Sequence, residues 1–230
     1  MIVVRELGSR KAAFLVSTGN GNIEFDVMSA IAKKHNGRGV LWFPKTLTEK
    51  LEIRDRRRAT RGKVKGRSVY NIVNIYPGKY GITSFIFLMD AEHIESAEDV
   101  VNYFRKELKV RVEDFRIFER GAFLIKGLVG SHRVRVYTAV LGEIKCIEED
   151  IARLVEIELG IPIDVERTRS RFGEGREFKK FLRKTIMKVL REHDMRVKDL
   201  IDRASIRSLE SAFPSLSKIF KIVENESLDV

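Results

Sequence analysis

The stretch Gly81-Ile-Thr-Ser-Phe-Ile-Phe-Leu-Met-Asp90-Ala-Glu92-His93 decides the fold. Its continuous apolar run from Phe85 to Met89 stops abruptly at acids, so it reads as a buried strand that delivers carboxylates to its own C-terminal end. Open α/β sheets place their ligands and their chemistry at that end. Downstream, Ser96 followed by Glu98 and Asp99 predicts an N-cap, and Val100, Val101, Phe104 and Leu108 continue as a helix. Upstream, Phe14-Leu-Val16 is an apolar strand, and a turn with Gly19 and Gly21 leads to Ile23, Val27 and Ile31 at helical spacing, ending near Gly37. Two strand-loop-helix units of this kind predict a mixed, mainly parallel α/β sheet flanked by helices.

The Gly19 turn is either a plain tight turn or a phosphate cradle; it has neither the dinucleotide fingerprint nor a P-loop ending. Gly39 to Pro44 predicts a short strand, and Thr46 to Ile53 a helical turn or two. The β-branched and aromatic run from Ser68 to Tyr76 predicts another strand, closed by Pro77-Gly78. Tyr70 and Tyr76 either pack on the sheet or offer rings for base stacking.

From Phe115 the pattern becomes strands: Phe115–Phe118, Ala122–Ile125 and His132–Leu141, the last with Arg133 and Arg135 on one face and Val134 and Val136 on the core side. A helix over Ile144 to Leu159 stops at Gly160-Ile-Pro162. Residues 1–165 therefore form the α/β domain. Residues 166–230 form a basic helical region on the same globule, entered through a charged connector from Ile163 to Gly175 and continuing as a helix through Phe178 to Arg191, two shorter helices and a frayed acidic tail from Glu224.

Charge points to the partner class. Over 230 residues, 44 Lys+Arg against 33 Asp+Glu give a net +11, which attracts polyanions by counterion release. Arg54, Arg56, Arg57, Arg58, Arg61, Lys63, Lys65 and Arg67 crowd one run with no apolar periodicity, read as an exposed loop that contacts nucleic acid or as a solvated surface loop. Lys179, Lys180, Arg183 and Lys184 lie on the polar side of an amphipathic helix and offer a second polyanion-binding face. DNA or RNA is the expected partner, by way of catalysis or by binding alone as a replication accessory factor; an acidic protein partner stays open. No apolar run reaches the roughly 18 to 20 residues of a membrane span, and Cys146 is the one cysteine, so a cytoplasmic location without disulfides is expected. The absence of glutamine beside 33% charged residues resembles thermophile usage.

Two readings stand for Asp90 and Glu92. They are acids favoured by the dipole of the following helix, or hard oxygen donors for Mg²⁺ that stabilise phosphoryl-transfer charge as catalytic residues. The order of elements, with Phe14-Leu-Val16 as first strand and Asp90-Ala-Glu92 closing a later one, resembles the TOPRIM family of topoisomerases, primases and small nucleases. That resemblance implies metal-dependent phosphoryl transfer, with Asp90 at the first aspartate of an Asp-x-Asp motif and Glu92 in place of the second. The family's glutamate after the first strand has no counterpart at Ser17-Thr18-Gly19-Asn20, and Glu24 is the nearest acid that would complete a metal site.

Overall fold

The computed structural model describes residues 1–6, 14–18, 22–35, 39–43, 70–118 and 121–226. The basic run 54–67, the turn 19–21 and the expected helical turn at 46–53 lie outside them. Among the described residues the strands are β1 (Ile2–Val4), β2 (Phe14–Thr18), β3 (Val40–Trp42), β4 (Ser84–Asp90), β5 (Arg111–Ile117), β6 (Ala122–Val129) and β7 (His132–Leu141). They form one seven-stranded sheet in the order β1-β3-β2-β4-β7-β6-β5. The first five strands in that order run parallel, and β6 and β5 close the edge antiparallel.

β4 takes the centre because every residue from Ser84 to Met89 is buried, as a strand covered on both faces requires. Its side chains alternate between two cores. Ile86 and Leu88 join one, while Phe85, Phe87 and Met89 join the other. Each fully buried phenylalanine contributes about 1.5–3 kcal/mol of transfer free energy. The first core is covered by α1 (Asn22–Lys34) and by helices of the C-terminal half; the second is covered by α2 (Ile72–Tyr80) and α3 (Ala97–Lys106).

α2 replaces the strand expected over Ser68–Tyr76. Ile72, Val73, Tyr76 and Pro77 are all buried, a spacing of one helix face, and Tyr70 reaches across to Thr138 Oγ1 at 3.1 Å. Burial against the sheet overrides the β-propensity of these side chains. Pro77 is tolerated near the end of the helix, which closes at Gly81 in the left-handed region with Ile82 N–H bonded back to Tyr76 O. Tyr70 and Tyr76 are consequently 0% and 1% exposed, so neither ring can stack on a base.

The helix after β7 is α4 (Ile147–Leu159), closed by Gly160 in the left-handed region. The connector expected from Ile163 to Gly175 contains a helix of its own, α5 (Val165–Phe172), because Asp164 accepts the Arg167 N–H at 2.7 Å and nucleates it. α6 (Arg176–Glu192), α7 (Val197–Arg203), α8 (Ile206–Ala212) and α9 (Pro214–Glu226) complete the described chain. Phe178, Leu182, Ile186 and Leu190 of α6 share one core with Phe14, Ile31 and Ile86, so the helical region packs on the sheet. Glu224, assigned by sequence to a frayed tail, is in α9 and meets His35 Nδ1 at 2.8 Å. No described helix is long and apolar enough to cross a membrane.

Candidate functional site

β2 continues through α1 to β3 on one side, while β4 continues through α3 toward β5 on the other. The C-terminal ends of β2 and β4 therefore bound the topological switch point, where a ligand crevice opens in α/β sheets. Asp90 ends β4 there, opposite Leu141 of β7, and a 3₁₀ turn over Ala91–His93 carries Glu92 next to it.

Both carboxylates are paired. Asp90 Oδ2 accepts from Lys179 Nζ at 2.7 Å, and Asp90 Oδ1 accepts the Ile147 N–H that opens α4 at 3.2 Å. Lys179 Nζ also donates to Glu92 Oε1, and Lys145 Nζ lies 2.8 Å from Glu92 Oε2. Two ammonium groups thus neutralise two carboxylates, in surroundings that leave these side chains about a quarter exposed or less. Burial alone would raise the Glu92 carboxyl, but the hydrogen bonds and charges of Lys145 and Lys179 outweigh it and hold the group below its ordinary range. Burial likewise opposes the charge of Lys179, and Asp90 and Glu92 overcome it and hold the ammonium above its ordinary range.

The loop behind the pair is built to hold this geometry. Glu149 Oε2 accepts the N–H groups of Glu143 and Ile144 at 2.8 and 2.9 Å, and Asp150 Oδ2 accepts that of Gly142 at 2.7 Å. Burial pushes the Asp150 carboxyl well up, against the Gly142 hydrogen bond and helped by the charges of Glu149 and Asp90. Cys146 is the fully buried residue that precedes the first turn of α4, and burial and Glu148 push its thiol up. The loop turns at Gly142 with a φ of 81°, where a Cβ would lie 2.3 Å from the Cys146 carbonyl oxygen. Gly142→Ala is expected to destabilise the fold by about 2–4 kcal/mol, combining left-handed strain with a backbone clash, read as a lowered urea midpoint at unchanged m-value.

A donor atom from each of Asp90, Glu92 and His93 lies within 4.8 Å of the others, the acidic group of that kind among the described residues. Glu24 is not in it. It is buried in the first turn of α1, where its charge supports Arg5. The group does not fit Mg²⁺ as arranged. Its carboxylate oxygens already hold two ammonium groups, and its third donor is an imidazole, which Mg²⁺ takes poorly in place of oxygen. No catalytic step through a metal follows from this geometry.

Lys179, expected from the sequence to face a polyanion, is paired with Asp90 and Glu92. It follows Phe178 and precedes Leu182, both buried, so it leaves α6 at the flank of the apolar face and reaches the sheet edge. Lys180, Arg183 and Lys184 are exposed as expected, and with Met187, Lys188, Arg191 and Glu192 they line a shallow groove along the outer face of α6. Lys180 and Lys188 have loose carboxylate neighbours at 3.8 Å, while Arg183, Lys184 and Arg191 are in no ion pair among the described residues. Beside this stripe Phe181 packs on Phe172 of α5, with ring centroids 4.7 Å apart. Sequence reasoning missed Lys145 and Lys179 as partners of the acids and Phe172 as a partner of Phe181; the position of Lys179 beside the apolar stripe was the available signal. Comparison of the chain with models of protein families, with curated proteins and with solved structures finds no match.

Proposed function

We propose that the protein binds nucleic acid, laying the phosphate backbone along the outer face of α6. The observation that carries this reading is the row of Lys180, Arg183, Lys184, Lys188 and Arg191 on one exposed helix face, on a chain of net charge +11. The basic run 54–67 adds eight cations of sequence to the same purpose. In this reading Asp90 and Glu92 are positioning residues: through Lys179 they fasten the first turn of the basic helix to the C-terminal edge of the sheet.

Metal-dependent phosphoryl transfer is the second reading. The parallel pairing of β2 with β4 supports the TOPRIM resemblance behind it, and the imidazole of His93 together with Lys145 and Lys179, which already hold Asp90 and Glu92, stand against it. Nicking of plasmid DNA in Mg²⁺ by the wild-type chain but not by Asp90→Ala would favour it over binding alone.

The test of binding is fluorescence anisotropy of labelled DNA and RNA oligonucleotides at low salt, with polyglutamate as an acidic competitor. Saturable binding that polyglutamate displaces only at large excess is expected. Failure to bind either nucleic acid, or equal preference for polyglutamate, would overturn the proposal in favour of an acidic protein partner.

A further inference from the structure

We infer that the nucleic acid taken by α6 is single-stranded and that Phe181, backed by Phe172, stacks on an unpaired base; this rests on the proposed nucleic-acid reading. Phe181 is 37% exposed, whereas Phe178, Leu182, Ile186 and Leu190 of the same helix are at most 2% exposed. It is therefore outside the core that α6 builds. Its neighbour one turn on is Lys184, and two turns on is Lys188, so the ring borders the cationic stripe. Phe172 supports it from α5 at 4.7 Å with a 34° tilt, and the Arg171 guanidinium lies 5.1 Å from the Phe172 ring centroid. Phe172 thus packs against Phe181, and the Arg171 guanidinium lies over Phe172, beside the row of exposed cations on α6.

A duplex hides its base faces in the stack and meets a protein with phosphates and groove edges, so an exposed phenylalanine reaches a base face there only at the cost of unstacking a step. An unpaired base has an open π-face, and aromatic stacking beside a cationic track is how single strands are held without regard to sequence. Lys180, Arg183, Lys184, Lys188 and Arg191 supply the track, and Phe181 supplies the stacking position.

The experiment compares one fluorescent oligonucleotide, single-stranded and annealed to its complement, at matched salt with wild type, Phe181→Ala and Phe181→Trp. Tighter binding of the single strand is expected. Phe181→Ala should weaken it by about 5- to 100-fold while leaving duplex binding and the salt dependence unchanged, because no charge is removed. Phe181→Trp should restore affinity, and the new indole should be quenched on binding. Equal or tighter duplex binding, or equal loss of both ligands in Phe181→Ala, would overturn the inference. Absence of binding to both ligands would overturn the underlying nucleic-acid reading instead.

Discussion

Replacing Arg183, Lys184 and Arg191 together with glutamate is expected to lower affinity for a single-stranded oligonucleotide by roughly 100- to 1,000-fold near physiological salt. These three cations are chosen because no ion pair among the described residues engages them, so their removal strands no carboxylate. Exposed substitutions away from caps and cores change stability by about 0.5 kcal/mol or less. Arg191 lies in the last turn of α6, where glutamate opposes the helix dipole and adds about 0.5 kcal/mol of cost. A fold stable to within about 1–2 kcal/mol of wild type, checked by urea titration, makes the loss of affinity attributable to the face itself.

Lys179→Met is expected to do the opposite: cost stability and leave the binding face charged. It removes the ammonium that bridges Asp90 and Glu92 and leaves two carboxylates side by side with Lys145 and one backbone N–H between them. Removing one member of a fully buried pair costs about 3–5 kcal/mol, and partial exposure here reduces that to about 2–3 kcal/mol. For a domain of this size the melting temperature should fall by about 4–12 °C. The pH dependence carries a definite sign. Glu92 is held below its ordinary 4.5, so its contribution is fully present above that value and is lost as pH falls through the lower folded value. The stability gap between wild type and Lys179→Met should therefore narrow below about pH 4.5, and Glu92→Gln in the variant should recover part of the loss. Because Lys179 is off the cationic stripe, the salt dependence of oligonucleotide binding should not change.

The parts of the fold legible in the sequence were those where local pattern and tertiary role agree. Phe85 to Met89 is apolar without alternation because both faces of β4 are covered, and Ser96 announces α3 because its hydroxyl caps the Asp99 N–H. The run from Ser68 to Tyr76 misled because a helix lying flat on a sheet can use the same valine, isoleucine and tyrosine that a strand would. α5 was hidden because its capping residue, Asp164, follows Pro162 in a run of charges with little apolar periodicity.

The site divides along the same line. Asp90 and Glu92 stand at the end of one strand and are visible as a local pair. Their partner Lys179 comes from 89 and 87 residues away, and no local pattern records that distance. A basic helix read only by its amphipathicity places Lys179 with Lys180, whereas one residue of rotation about the helix separates an internal anchor from an outward cation.

The most direct measurement is the salt dependence of single-strand affinity for wild type and for the Arg183, Lys184 and Arg191 triple glutamate variant. On log-log axes the wild-type line should be straight and steep, and the variant line shallower by roughly 2, about 0.7 for each lost phosphate contact. Parallel lines for the two proteins, or a wild-type affinity indifferent to salt, would contradict the assignment of α6 as the nucleic-acid-binding face.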